Sequence, residues 1–175
     1  MITWSRFSYI PKRAMPKKIA IYPGSFEPVT FGHLDIIDRA QVLFDKLFVA
    51  VAANREKSPL FSEEERVQML KLLTRGKKNI QVISFPGLLA DLTKKLEAAA
   101  IIRGLRAVSD FEFEFQMALM NRKLFHKAES VFLMPSARYT FLSSSLVKDI
   151  ARLGGDVSAF VPKIVEKKLK EKFQN

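Results

Sequence analysis

Residues 22–33, Tyr-Pro-Gly-Ser-Phe-Glu-Pro-Val-Thr-Phe-Gly-His, bring together two glycines, two prolines, the hydroxyls of Ser25 and Thr30, and one of the chain's two histidines. They lie between an apolar run, Lys18-Ile19-Ala20-Ile21, and an amphipathic one, Leu34-Asp35-Ile36-Ile37-Asp38-Arg39-Ala40. A strand therefore runs into a loop, and the loop into a helix. Backbone N–H groups at a helix start carry partial positive charge and suit a phosphate. His33 stands where its ring can add a further donor to the same anion. This is a pattern for chemistry on phosphate. The Gly-Lys-Ser/Thr ending of a Walker loop and the three spaced glycines of a dinucleotide fingerprint are both missing. Taken alone, a histidine at this position serves equally well as a solvated or capping residue.

A second candidate lies in Ile102-Arg103-Gly104-Leu105-Arg106. Arg103 ends an apolar run, where an unpaired guanidinium is costly, so an anion-binding role is favoured. Ser143-Ser144-Ser145 opens an amphipathic segment and offers hydroxyls and N–H groups at a helix start, though one of the three should serve as its N-cap. By composition, Lys57 in Asn54-Arg55-Glu56-Lys57-Ser58 belongs to a solvated loop, Glu114 to a helix surface and His126 to a polar connection.

The elements that must position these groups follow from the hydrophobic pattern. Five short apolar runs, at 18–22, 47–53, 79–85, 99–103 and 130–134, read as strands. Their continuous apolar character is that of parallel strands covered on both faces. Helical segments are expected at about 33–45, 62–74, 88–98, 110–124, 143–153 and 161–173, two of them with capping-box starts, Ser62-Glu63-Glu64-Glu65 and Ser109-Asp110-Phe111-Glu112. The alternation predicts an α/β fold, a doubly wound five-stranded parallel sheet with right-handed crossovers. For the order 3-2-1-4-5 the winding reverses between strands one and four, and ligands sit beyond their carboxyl ends. The loop at 22–33 and the Arg103 segment would then face each other.

At 175 residues the chain suffices for one domain with a full core. It has no cysteine, which excludes disulfides, thiolate metal sites and cysteine nucleophiles. No apolar run approaches the roughly 20 residues of a membrane span. Net charge is +11, but five basic residues and no acid fall in residues 1–18, and five against two acids in 162–175. Only +3 remains for the body, and no basic stripe interleaved with aromatics suggests a nucleic-acid groove.

Taken together, the segments resemble the phosphopantetheine adenylyltransferases of the nucleotidylyltransferase superfamily. Thr30-Phe31-Gly32-His33 fits the superfamily's T/HxGH pattern. The more specific pieces are Ala20-Ile21-Tyr22-Pro23-Gly24-Ser25-Phe26, Glu64-Glu65-Arg66, Ile102-Arg103-Gly104-Leu105-Arg106-Ala107-Val108 with Asp110-Phe111-Glu112, Phe132-Leu133-Met134-Pro135, and Ser143-Ser144-Ser145-Leu146-Val147-Lys148. They run colinearly from residue 18 to about 162. Three positions depart from the usual pattern: Ser25 for threonine, Glu27 for aspartate, and Phe31 at the free position. Ser25 keeps the hydroxyl.

The resemblance implies transfer of AMP from ATP to 4′-phosphopantetheine, with Mg2+, giving dephospho-coenzyme A and pyrophosphate. It implies that His33 binds an α-phosphate oxygen, that Ser25 binds the attacking phosphate or bridges it to the α-phosphate, and that Lys57 and Arg103 hold the acceptor phosphate. Backbone near Leu89 would contact the pantetheine arm. Phe26, Gly104, Leu105 and Arg106 would line the nucleotide site, Glu114 would reach the adenosine, and Tyr139, Thr140, Phe141, Leu142, Ser143, Ser144 and Ser145 would close over the triphosphate. No residue is implied as a metal ligand. A cytoplasmic homohexamer built from two trimers, inhibited by coenzyme A, without nucleic-acid or membrane partners, completes the expectation. Two alternatives stand beside it: a superfamily member using nicotinamide mononucleotide or a cytidylyl donor, and a non-catalytic binder of nucleic acid or acidic membranes acting through the basic ends.

Residues 1–14 have no counterpart in the resemblance. They are basic, hold the only tryptophan and are broken by Pro11, and the apolar run is too short for a secretory signal. They are expected to be poorly ordered and dispensable, with Met15 as a natural start and 15–175 as the single domain.

Overall fold

The computed structural model describes residues 18–53, 59–106 and 108–173. The N-terminal extension expected at 1–14 and Lys57 lie outside them. The strands are β1 (Ile19–Gly24), β2 (Lys46–Ala52), β3 (Ile80–Phe85), β4 (Ala100–Gly104) and β5 (Glu129–Leu133). The α-helices are α1 (Phe31–Leu43), α2 (Glu63–Leu73), α3 (Leu89–Lys95), α4 (Val108–Leu124), α5 (Ser144–Arg152) and α6 (Lys163–Phe173), with a 3-10 turn at Ala137–Tyr139. The sheet is parallel throughout, in the order β3-β2-β1-β4-β5. The doubly wound fold expected from the sequence is the one observed.

Alternation along the central strands explains why the sheet is covered on both faces. Ala20 and Tyr22 of β1 and Leu47, Val49 and Val51 of β2 point into the larger core. There they meet Ile36, Ile37 and Ala40 of α1, Met69 and Leu70 of α2, Val147 of α5, and Val165 and Leu169 of α6. The intervening residues, Ile21 of β1 and Phe48 and Ala50 of β2, point to the opposite face, which Leu89, Leu92 and Leu96 cover. Period-two side chains thus fill two cores from one pair of strands.

The helix starts are chemically specified. Ser62 caps α2 in a reciprocal box with Glu65, and the acids at its first turn complement the dipole. The box expected at Ser109 is not the start of α4, which already begins at Val108, so Ser109 is inside the helix. Among the described residues no helix is long and apolar enough to cross a membrane.

The sheet also opens where the winding reverses. β1 pairs with β2 along its whole length, to Gly24↔Val51. With β4 it pairs only at Ala20↔Ala100 and Ile21↔Ile101. Beyond those rungs the carboxyl ends of β1 and β4 are not paired to each other, which leaves a crevice at the switch point.

Candidate active site

A cavity of about 320 Å3 occupies that crevice. Its walls come from four places: Tyr22 to Ser25 at the end of β1, Thr30, Gly32, His33 and Ile36 at the start of α1, Arg103, Gly104 and Arg106 at the end of β4 with Glu114 from α4, and Pro135, Tyr139 and Leu142 to Ser145 between β5 and the first turn of α5. Two helix starts, those of α1 and α5, thus end at one cavity, which gives it positive potential without any further side chain.

The loop after β1 is held from below. Phe26 takes φ 49°, a left-handed conformation unusual for a residue with a side chain. Its ring is fully buried and packs edge-on against Tyr22 and His33, at centroid separations of 5.4 and 5.2 Å. A Cβ at position 24 would stand 3.0 Å from that ring, so the loop needs Gly24 where it is. Phe26 therefore lies beneath the cavity, not in its wall, its ring held in the core. Folding the ring under leaves Ser25 exposed in the cavity.

His33 occupies the third position of α1 and takes part in the cap of that helix. Thr30 is the N-cap, and its backbone N–H donates to His33 Nδ1 at 3.0 Å, while the His33 backbone N–H donates to Thr30 Oγ1 at 3.4 Å. Because Nδ1 accepts from a backbone N–H, the proton of a neutral ring must be on Nε2. Burial, and secondarily the Arg106 guanidinium, push the imidazole down to about pKa 4. At neutral pH His33 is thus an uncharged ring with a fixed tautomer and one N–H to give. Tyr22, buried beside it, has its phenol pushed above the ordinary value mainly by burial.

The arginines are aimed by carboxylates and carbonyls. Arg103 donates from Nε and Nη2 to the two oxygens of Glu114, each at 2.5 Å, and from Nη1 to the Pro23 carbonyl at 3.3 Å. That last bond spans the crevice between β4 and β1. Arg106 donates from Nε to Asp110 at 3.1 Å and from Nη1 to the Leu142 carbonyl at 2.7 Å. The segment after β5 is tied down elsewhere too: Ser136 donates from its backbone N and Oγ to Asp35 of α1. Ser143 caps α5, Ser144 donates to the Pro28 carbonyl at 2.8 Å, and Ser145 is exposed at the cavity.

Of the residues singled out from the sequence, the cavity brings together Ser25, His33, Arg103, Gly104, Arg106, Glu114, Tyr139, Leu142, Ser143, Ser144 and Ser145. Besides Phe26, it leaves out four others. Leu89 opens α3 and packs in the core on the far face of the sheet. Leu105 donates its backbone N–H to Leu133. Thr140 turns its hydroxyl to the Ala137 carbonyl, and Phe141 packs on Phe160. Glu114 is not bare helix surface: its side chain is 13% exposed and committed to Arg103. Sequence reasoning passed over Asp35 and gave no task to Arg66, although Arg66 sat within one of the diagnostic segments.

This constellation belongs to a class. Residues 21–150 match the cytidylyltransferase-like family. A nicotinate-nucleotide adenylyltransferase, described as putative, from Vibrio parahaemolyticus superposes with a TM-score of 0.67 over 89% of this chain and 93% of its own, at 17% identity, and so shares the fold. Narrower relatives are far more similar. A phosphopantetheine adenylyltransferase of Caldanaerobacter subterraneus subsp. tengcongensis is 58% identical over 90% of this chain and 98% of its own length. One from Thermodesulfovibrio yellowstonii is 55% identical over 90% and 98%. The chain belongs to the phosphopantetheine adenylyltransferase family, a group of nucleotidyltransferases within the cytidylyltransferase-like class.

Proposed function

We propose that this chain transfers AMP from ATP, carried as its magnesium complex, to 4′-phosphopantetheine, giving dephospho-coenzyme A and pyrophosphate. One observation carries the reading. In a chain of this family, His33, Ser25, Arg103 and the starts of α1 and α5 converge on one cavity at the switch point. An oxygen of the acceptor phosphate attacks the α-phosphorus in line, and the bond to the departing pyrophosphate breaks. No protein nucleophile is required, so the protein's work is aim and charge stabilisation. His33 donates from Nε2 to an α-phosphate oxygen, a bond that strengthens as charge builds there. Ser25 offers its hydroxyl between the two phosphates. Arg103 takes the acceptor phosphate through the N–H groups of Nη1 and Nη2 that its bonds to Glu114 and Pro23 leave over, with Glu114 holding the guanidinium in place. Lys57 joins it on the strength of the resemblance alone.

Among the described residues no cluster of three metal-ligating side chains occurs. Glu114, the carboxylate in the cavity wall, is held by Arg103. That fits an ion brought in on phosphate oxygens with few protein ligands, and the ion supplies neutralisation of the triphosphate. The reaction is placed in the cytoplasm. Coupled measurement of pyrophosphate release tests the reading: signal is expected with ATP and 4′-phosphopantetheine together. Signal with nicotinamide mononucleotide in place of 4′-phosphopantetheine, and none with the latter, would overturn it.

The assembly belongs to the same reading. On α4, Phe111, Phe115 and Leu119 are exposed on one side, and Phe113, Met120 and Leu124 on another. A helix apolar on both sides is at home only when covered, here by further copies of the chain in a homohexamer. Light scattering is expected to give about six times the mass of one chain, and Met120→Glu, at a residue 61% exposed, is expected to lower it. A wild-type mass near that of a single chain would remove the hexamer.

A further inference from the structure

Among the described residues Arg66 is the largest fully buried side chain, at 2% exposure; there its charge meets no carboxylate and it donates only to main-chain carbonyls. Nη1 reaches Ser25 at 2.7 Å and Ala52 at 3.1 Å, and Nε reaches Ser62 at 3.3 Å. These acceptors lie at three different places: the turn after β1, the last residue of β2, and the N-cap of α2. A buried guanidinium is expensive, and an apolar side chain such as methionine could fill much the same volume of core more cheaply. Its placement therefore calls for a task beyond packing.

The carbonyl of Ser25 supplies that task. Ser25 precedes Phe26, whose φ of 49° is the strained point of the loop, and the Ser25 hydroxyl lies in the cavity. The bond from Arg66 fixes the Ser25 peptide plane at the point where the chain has left the β1 ladder. The same nitrogen holds the end of β2, so one planar cation locks the two strand ends into a single register. We infer that Arg66 is a positioning residue: it orients Ser25, through the main chain, for the in-line transfer described above, without touching substrate itself. This role rests on the proposed reaction for its kinetic consequence but not for its structural one.

Arg66→Met and Arg66→Gln test it, since methionine has no N–H to give and the glutamine amide ends near the position of Nε, short of the Ser25 and Ala52 carbonyls that Nη1 reaches. Hydrogen–deuterium exchange reads the structural part without any substrate. The amides of Gly24 to Glu27 are expected to exchange at least about tenfold faster in the variants, while β4 amides stay unchanged. Turnover with ATP and 4′-phosphopantetheine reads the functional part. It is expected to fall on the order of 10–10²-fold, the scale of a small misplacement, with ATP binding within about threefold of wild type. Exchange at Gly24 to Glu27 equal to wild type would overturn the inference whatever the activity. So would folded variants with unchanged turnover, or failure of both to fold at low temperature, which would reduce Arg66 to a core-holding residue. An inactive wild-type enzyme would instead sink the reaction and leave the exchange result to decide the positioning role.

Discussion

His33→Ala is expected to lose at least about 10²-fold in turnover, the scale seen when one preorganised transition-state donor is removed. ATP binding should fall much less, because the bond from Nε2 matters most when the α-phosphorus is pentavalent. The variant also loses the acceptor for the Thr30 N–H, so a stability cost of about 1 kcal/mol is expected alongside. His33→Asn separates the two effects. An amide oxygen can stand near the position of Nδ1 and keep the cap, but nothing on asparagine reaches the position of Nε2. Stability near wild type with turnover as low as that of His33→Ala is the expected result. Turnover within a few-fold of wild type in the asparagine variant would leave His33 as a capping residue only.

The same ring gives a signature in pH. Its folded-state pKa is depressed to about 4 from an ordinary 6.5, so the neutral form is the one that folds. Above the unfolded value both states are neutral and the preference costs nothing. As pH falls from about 6.5 to about 4, the unfolded chain takes up a proton that the folded chain refuses, and stability drops, by at most about 3 kcal/mol. Denaturation series between pH 7 and 4 should show this slope in wild type and lack its His33 share in His33→Asn.

Much of this arrangement could be read from the chain before any coordinates. The central strands β1 and β2 announced themselves because both faces are covered, so each is a nearly unbroken apolar run, and the spacing of the strands left room for helical crossovers. The crevice followed from the winding. What the sequence concealed were the contacts that depend on backbone direction. Phe26 looks like a residue for a flat ring of adenine, and only its left-handed φ sends it into the core beneath His33. Glu114 looks like helix surface until α4 is laid beside β4, which brings it to Arg103 across eleven residues of sequence. Arg66 sits in an acidic, amphipathic helix and reads as solvated; its partners are carbonyls, which have no signature in sequence at all. Leu89 was placed by family likeness, and its side chain packs in the core that α3 covers.

Arg103→Ala is expected to act on the acceptor side of the reaction. The KM for 4′-phosphopantetheine should rise on the order of 10–10²-fold, because a charge-assisted, two-pronged bond to phosphate is lost, and turnover should fall further as the attacking oxygen loses its aim. The KM for ATP should move by no more than a few-fold. Substitution does a second thing: it strands the Glu114 carboxylate, whose side chain is only 13% exposed, without its partner. Leaving such a charge unpaired costs about 1–3 kcal/mol, so a fall in melting temperature is expected and could be mistaken for the cause of the kinetic loss. The double variant Arg103→Ala/Glu114→Gln removes that ambiguity. Neutralising the stranded carboxylate should recover most of the stability and none of the acceptor affinity. Pantetheine lacking its phosphate should behave with the wild-type enzyme as no substrate, since it offers neither the nucleophilic oxygen nor the anion that Arg103 binds. If pantetheine is adenylylated at a comparable rate, or if the double variant regains the wild-type KM, then the fork of Arg103 serves only to hold α4 against β4 through Glu114.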